Sequence, residues 1–180
     1  MFFEEKTVSA KTVFQGKIID VRVDMVSLPN GEIAQRDIVK HPGGVGIVAI
    51  TDDDKIIMVK QFRKPIEKAI YEIPAGKLDK NEEPLKCGRR ELMEETGAVA
   101  DNFFYLGYMY PSPGFDDEVT HMYLATGLHF GENNLDEDEF LDVEYFTKEE
   151  VLDMIMNNEI NDAKTVIGFF KAMEKLKGGK

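Results

Sequence analysis

An α+β fold is predicted for this chain from three observations: strand-length stretches that alternate or run apolar, three helical stretches, two of them with start or stop signals, and turn residues between them. At 180 residues there is room for one well-cored domain with at most a small appendage. The 43% hydrophobic and 31% charged composition is that of a globular chain, neither disordered nor fibrous.

Between residues 17 and 28, Ile19, Val21, Val23 and Met25 alternate with Lys17, Asp20, Arg22 and Asp24, the period of a half-buried strand. Pro29-Asn30-Gly31 supplies a turn and residues 33–39 return as the second strand of a hairpin. The chain is divided into residues 1–40, a β-hairpin region that forms either an edge of the main sheet or a small N-terminal subdomain meeting a partner chain, and residues 41–180, the main domain. His41-Pro42-Gly43-Gly44 breaks the pattern, and residues 45–51 run almost entirely apolar, as a strand buried on both faces would. Asp52-Asp53-Asp54 reads as a solvated turn, residues 56–62 as a second core strand, Pro65 as part of a loop and residues 71–73 as a short third strand. Pro74-Ala75-Gly76 is then a turn.

A helix follows, with Pro84 in its first turn and Gly97 as its stop. Its buried stripe is expected to be Leu85, Gly88 and Leu92, with Gly88 allowing close approach to a sheet. Glu91, Glu94 and Glu95 stand at i, i+3 and i+4 on one face, expected to be left for presenting charge. Like charges at i, i+4 disfavour a helix, so the arrangement asks for a cation, and a hard divalent metal suits carboxylate oxygens. Further on, residues 103–110, 119–128 and 141–146 read as strands, and 132–139 as an exposed acidic loop. Thr147-Lys148-Glu149-Glu150 has capping-box spacing and starts a helix to about residue 156, and an apolar-striped helix covers about 163–175.

The net charge of −12 argues against a nucleic-acid partner, which needs a basic face. It leaves room for a small anionic substrate, since a metal and one or two arginines reverse the field inside a cleft. Cys87 is the only cysteine, so no internal disulfide is expected, and no histidine spacing suggests a base for a catalytic thiol. An acidic start and the absence of a long apolar run predict no membrane segment and a cytoplasmic location.

Gly76, five residues, Glu82, seven residues, then Arg90-Glu91-Leu92-Met93-Glu94-Glu95-Thr96-Gly97 resembles the signature of the Nudix hydrolases, which cleave nucleoside diphosphates linked to another group. The one departure is Ala98, where the family usually has a larger aliphatic residue. The resemblance implies an α/β/α sandwich with a mixed sheet between helices. It also implies Glu91 and Glu95 as main metal ligands, Glu94 as a further ligand or local base, and the Ala75 carbonyl completing the shell. Glu82 paired with Arg90, together with Gly76 and Gly97, would support the site. The cofactor implied is Mg2+, with Mn2+ or another divalent cation in its place.

Ser112-Pro113-Gly114-Phe115-Asp116-Asp117-Glu118, and Gln61-Phe62-Arg63 followed by Glu72-Ile73-Pro74-Ala75-Gly76, are similar to the ADP-ribose pyrophosphatase branch. That likeness implies hydrolysis of ADP-ribose to AMP and ribose 5-phosphate, with Arg63 on a phosphate or terminal ribose and Arg36 a second candidate. Pro113, Gly114 and Glu118 are further substrate-side candidates. The segment Asp136-Glu137-Asp138-Glu139 resembles the one from which the branch supplies a general base, with Glu139 first and Glu137 second. The branch is commonly dimeric through its N-terminal sheet, which makes a homodimer the expectation. Hydrolysis of another ADP- or GDP-linked sugar, or ADP-ribose binding without cleavage, are the alternative readings.

Overall fold

The computed structural model describes residues 3–131 and 140–178. Its compact units are residues 1–43 with 110–119, and residues 44–109 with 120–180.

The first unit is built on an antiparallel sheet in the order β1 (Lys6–Gln15), β2 (Asp20–Ser27), β3 (Ile33–Lys40). Gly31 turns the β2–β3 hairpin at φ 87°, a left-handed conformation that a side chain would strain. The structure adds β1 to the expected hairpin: residues 6–15 are exposed along their whole length, so they carry no half-buried alternation by which a sequence reading finds strands. Residues 110–119 join this unit through Val39, whose N–H donates to the Phe115 carbonyl and whose carbonyl accepts from the Asp117 N–H.

In the second unit β4 (Gly44–Ala49), β5 (Lys55–Arg63), β6 (Lys68–Glu72) and β7 (Ala75–Lys77) lead into α1 (Pro84–Thr96). After it come β8 (Ala98–Met109), β9 (Thr120–Phe130), β10 (Leu141–Thr147), α2 (Lys148–Met156) and α3 (Ala163–Lys177). One sheet has the order β7-β4-β9-β8 and is mixed, with β4 and β9 parallel, while β10-β5-β6 is antiparallel. Strand β4 is buried on both faces, as its unbroken apolar run predicts. Alternation sorts its side chains. Val45, Ile47 and Ala49 pack with Cys87 and Leu92 of α1. Val48 packs in a second cluster with Phe169 and Ala172 of α3 and Val151 of α2. Neighbouring β9 divides in the same way, Tyr123 and Ala125 to one cluster, Met122 and Leu124 to the other. Two apolar layers on one sheet, each closed by helix, give the helix–sheet–helix sandwich. Burial of each such Ile, Leu or Val contributes roughly 1.5–3 kcal/mol.

The caps of α1 and α2 follow the expected chemistry, and α3 has a cap that the sequence reading does not name. Pro84 opens α1, and Gly97, at φ 69°, closes it by donating its N–H to the Met93 carbonyl at 2.8 Å. Thr147 and Glu150 form the full capping box of α2. Asp162 caps α3 by accepting from the Thr165 N–H. Residues 64–66 form a short 3-10 turn where a loop is expected, and Ala75–Lys77 is a strand where a turn is expected. No helix among the described residues is long and apolar enough to cross a membrane.

Three expectations for α1 need correction. Leu85 is 42% exposed, and the buried positions are Cys87, Gly88, Glu91, Leu92, Glu95 and Thr96. The carboxylate face is therefore not left outward: Glu91 and Glu95 are 7% and 2% exposed. Nor does Gly88 mark an unusually close approach, because a Cβ there would meet Phe103 and Tyr123 at 3.4 and 3.5 Å, ordinary van der Waals distances. The glutamate sector faces inward because α1 is seated on β7 as well as on β4.

Candidate active site

The seat for Glu91 is Gly76. A Cβ on Gly76 would stand 1.8 Å from the Glu91 carboxyl carbon, so the carboxylate occupies the space that any side chain on this β7 residue would take. One residue earlier, the Ala75 N–H donates to Glu95 Oε2 at 3.0 Å. Buried carboxylates are costly unless partnered, and β7 supplies one partner, for Glu95, from its backbone.

Arg90 supplies the opposing charge. Its Nη1 lies 2.8 Å from Glu91 Oε1 and 2.9 Å from Glu94 Oε2, which offsets the repulsion of the i, i+3 and i+4 carboxylates. Its Nε and Nη2 bind the two oxygens of Glu82 at 3.0 and 2.9 Å, a bidentate fork. That fork, with the Asp79 N–H, lowers the Glu82 pKa to about 2 despite the opposing effect of burial. Arg90 is itself pushed further up by Glu82, Glu91 and Glu94, against the effect of burial. Cys87 donates toward the Lys77 carbonyl at 3.3 Å, and burial together with the charges of Glu82 and Glu91 pushes its thiol up, which makes it an unreactive group.

The donors gathered here, three carboxylates and the backbone of Ala75, are all oxygen and suit a hard divalent cation in kind. Among the described residues no three His, Cys, Asp or Glu side chains already stand in a ligating arrangement. Arg90 is the cation that Glu91 and Glu94 share in this structure.

Arg63, at the end of β5, lies in the same unit as α1. Its Nε bonds both oxygens of Glu72, at 3.0 and 3.1 Å. Glu72 is a β6 carboxylate only 2% exposed. Burial lowers the Arg63 pKa, but Glu72, with Glu95 and Asp162 adding charge, raises it overall. The Glu95 interaction places Arg63 within electrostatic reach of the α1 carboxylates. Lys164 also binds Glu72, 3.2 Å from the Oε1 that Arg63 contacts. Neither Glu72 as a bridge nor Lys164 was among the expected site residues; Glu72 stands inside a recognised motif, whereas nothing in the sequence around Lys164 marks it.

The other candidates form a group within the N-terminal unit. Arg36 gives its fork to Glu5, with Nη2 to Oε1 at 2.6 Å and Nε to Oε2 at 2.9 Å. Pro113 and Gly114 lie in a turn closed by Phe115 and Asp116 N–H groups on the Ser112 carbonyl, at 3.2 and 3.0 Å. Asp117 pairs with Lys40 and accepts from the His41 N–H, and Glu118 Oε2 lies 3.7 Å from His41 Nδ1. Glu137 and Glu139, expected as general bases, lie outside the described residues.

The chain belongs to the Nudix family: residues 40–167 match the NUDIX domain, and residues 5–39 match the nucleoside diphosphate sugar hydrolase N-terminal domain. Among relatives, it is 49% identical over 181 residues to an ADP-ribose pyrophosphatase of Bacillus subtilis (strain 168), covering 98% of each chain. It is 48% identical over 179 residues to a methanol dehydrogenase activator of Bacillus methanolicus, covering 97% of each. A GDP-mannose pyrophosphatase of Yersinia enterocolitica is 34% identical over 122 residues, 62% of this chain and 63% of that one. A solved structure of an ADP compounds hydrolase superposes with a TM-score of 0.86 at 22% identity, over 97% of this chain and 95% of the other, a likeness of fold.

Proposed function

We propose that this protein is a divalent-cation-dependent pyrophosphohydrolase that cleaves ADP-ribose to AMP and ribose 5-phosphate. The observation that carries the reading is the pair of buried carboxylates, Glu91 against Gly76 and Glu95 on the Ala75 N–H, inside a family match spanning residues 40–167. The full-length likeness to a relative named for ADP-ribose supports the choice of substrate. Glu91, Glu95, Glu94 and the Ala75 carbonyl would hold the cation, with Mg2+ the first choice. A bound cation of this kind neutralises pyrophosphate charge and lowers the pKa of water.

The chain's own part is to bind and orient. Arg63 would offer its guanidinium edge to phosphate or ribose oxygens. Glu82 holds Arg90, which keeps Glu91 and Glu94 paired and placed. Water adds across the P–O–P bridge, one phosphorus gaining the hydroxyl while the bridging oxygen leaves with the other. Glu139 is the first choice to take the proton, and Glu137 the second. A homodimer is part of the same proposal, supported by apolar side chains left exposed in the N-terminal unit, Val8 at 62%, Phe14 at 55% and Ile33 at 55%. So is a cytoplasmic location, where nucleoside diphosphate sugars are at hand.

The test is phosphate release, coupled through alkaline phosphatase, across ADP-ribose, ADP-glucose, GDP-mannose, NADH and diadenosine polyphosphates with magnesium present. ADP-ribose should rank first in kcat/KM. GDP-mannose ranking first would move the protein to the substrate named for the Yersinia relative. No turnover of any of them, with ADP-ribose still bound, would make it a binding module.

A further inference from the structure

The first turn of α3 is far in sequence from the glutamates of α1, yet its side chains grip the strand segment that leads to their seat. Glu72 is the centre of the arrangement. Its carboxylate is 3% exposed and is shared by two cations: Arg63 spans both of its oxygens, and Lys164 adds a second contact on Oε1. Lys164, itself 16% exposed, also lies 3.1 Å from Asp162, the cap of α3. Asp162 Oδ2 accepts from the Thr165 N–H and hydroxyl at 2.9 and 2.6 Å. The Thr165 oxygen in turn accepts from the N–H of Ile73, the residue after Glu72, at 3.0 Å. The ring closes where it began. Two carboxylates and two cations balance, and Thr165 is fully buried at 0% exposure.

Three residues beyond Glu72, Ala75 donates to Glu95, so the segment 72–76 is held from α3 at one end and from α1 at the other. The Pro74 carbonyl, accepting from the Ile47 N–H at 2.8 Å, fixes its middle to β4. A buried carboxylate with one partner can swing, whereas a carboxylate bound by a second cation as well presents its arginine in one orientation.

We propose that Lys164, with Asp162 and Thr165, is a positioning residue for the reaction: it clamps Glu72 and so fixes the Arg63 guanidinium in the orientation that receives the anionic substrate. This rests on the reading of Arg63 as a substrate contact. Lys164 itself touches no substrate; it acts through Glu72 and Arg63. The clamp also explains why the chain keeps a costly charge cluster in a place where apolar residues would pack.

The experiment measures ADP-ribose binding by calorimetry in chelator, where no cation is present and no turnover is expected, together with kcat and KM in magnesium. The variants are Lys164→Met, Lys164→Arg, Arg63→Ala and the double variant, each checked for folding by its thermal midpoint. Lys164→Met should weaken binding and raise KM by about 5- to 10-fold with a smaller change in kcat, the loss of preorganisation at one charged contact. Lys164→Arg, which keeps a cation on Glu72, should recover most of that loss. The double variant should be no weaker than Arg63→Ala alone, since Lys164 works through Arg63. A folded Lys164→Met with wild-type binding and KM overturns the clamp and leaves the Arg63 reading standing. Arg63→Ala with unchanged binding overturns the Arg63 reading, and with it this proposal. Additive effects in the double variant also overturn it. Should Lys164→Met fail to fold, Lys164→Gln, which keeps a hydrogen-bond donor near Glu72 without the charge, carries the same comparison.

Discussion

Helices α1 and α3 cover opposite faces of the β7-β4-β9-β8 sheet, and each makes a close approach through a glycine, but the chemistry at the two contacts differs. At α3 the glycine is on the helix. A Cβ on Gly168 would stand 2.7 Å from Met122 Cε, 3.1 Å from Ile73 Cδ1 and 3.2 Å from Val48 Cγ2, so the absent side chain is filled by apolar neighbours. At α1 the glycine is on the strand, Gly76, and the space is filled by the Glu91 carboxylate. The apolar contact is a matter of stability. The polar contact retains buried charge and is where chemistry is proposed. The difference teaches that close packing alone does not mark a site; what fills the gap does.

Substitutions at the two glycines test this contrast directly. Gly76→Ala has to displace Glu91, and should reduce kcat/KM for ADP-ribose by about 100-fold, at the upper end of losses seen when a supporting group of a metal site is removed. Near wild-type turnover in the coupled phosphate assay would show that Glu91 works from another position. Gly168→Ala should instead cost about 1–3 kcal/mol by overpacking, with turnover per folded molecule retained. At about 2–4 °C per kcal/mol for a chain of this size, the loss is readable in a thermal melt. An unchanged midpoint would mean that the Met122 methyl swings aside.

A smaller effect separates the contacts by pH. Glu82 has its folded pKa lowered from 4.5 to about 2, so the stability it contributes is present above its unfolded pKa and is lost as pH falls through that window. Glu82→Gln should therefore melt below wild type at neutral pH, and the gap should narrow between pH 4.5 and about 2. A gap that stayed constant with pH would assign the loss to shape and not to the Arg90 pair.

The smallest effect is expected at Gly88, on α1 but away from Glu91. A Cβ there meets its neighbours at 3.4 Å or more, and alanine favours a helix over glycine by about 1 kcal/mol. Gly88→Ala should leave the thermal midpoint unchanged or raise it by a few degrees. A clear fall would restore the close approach that the sequence suggests.

Much of the fold was legible because the signals are local. The β4 run, the Pro84 and Gly97 ends of α1 and the Thr147–Glu150 box each declare themselves within a few residues. β1 escaped because its exposed residues have no buried partner to impose a period, and β7 because three residues are too few to show one. Within the site, the sequence shows Glu91, Glu94 and Glu95 on one helical sector. It also led to the wrong direction for that sector, since periodicity ranks faces by polarity and these carboxylates are polar yet buried. Leu85 was misplaced by the same rule.

The sequence by itself determined the α+β class, the helix boundaries and the spacing of the carboxylates, which depend on neighbours along the chain. Only the tertiary structure decided that Glu91 lies on Gly76, that Glu95 takes the Ala75 N–H, and that Glu72 joins Arg63 to Lys164. Those contacts depend on strand order and register, which bring together residues as distant as 72 and 164. No local propensity encodes such a meeting; it is set by which buried surfaces the whole chain can satisfy at once.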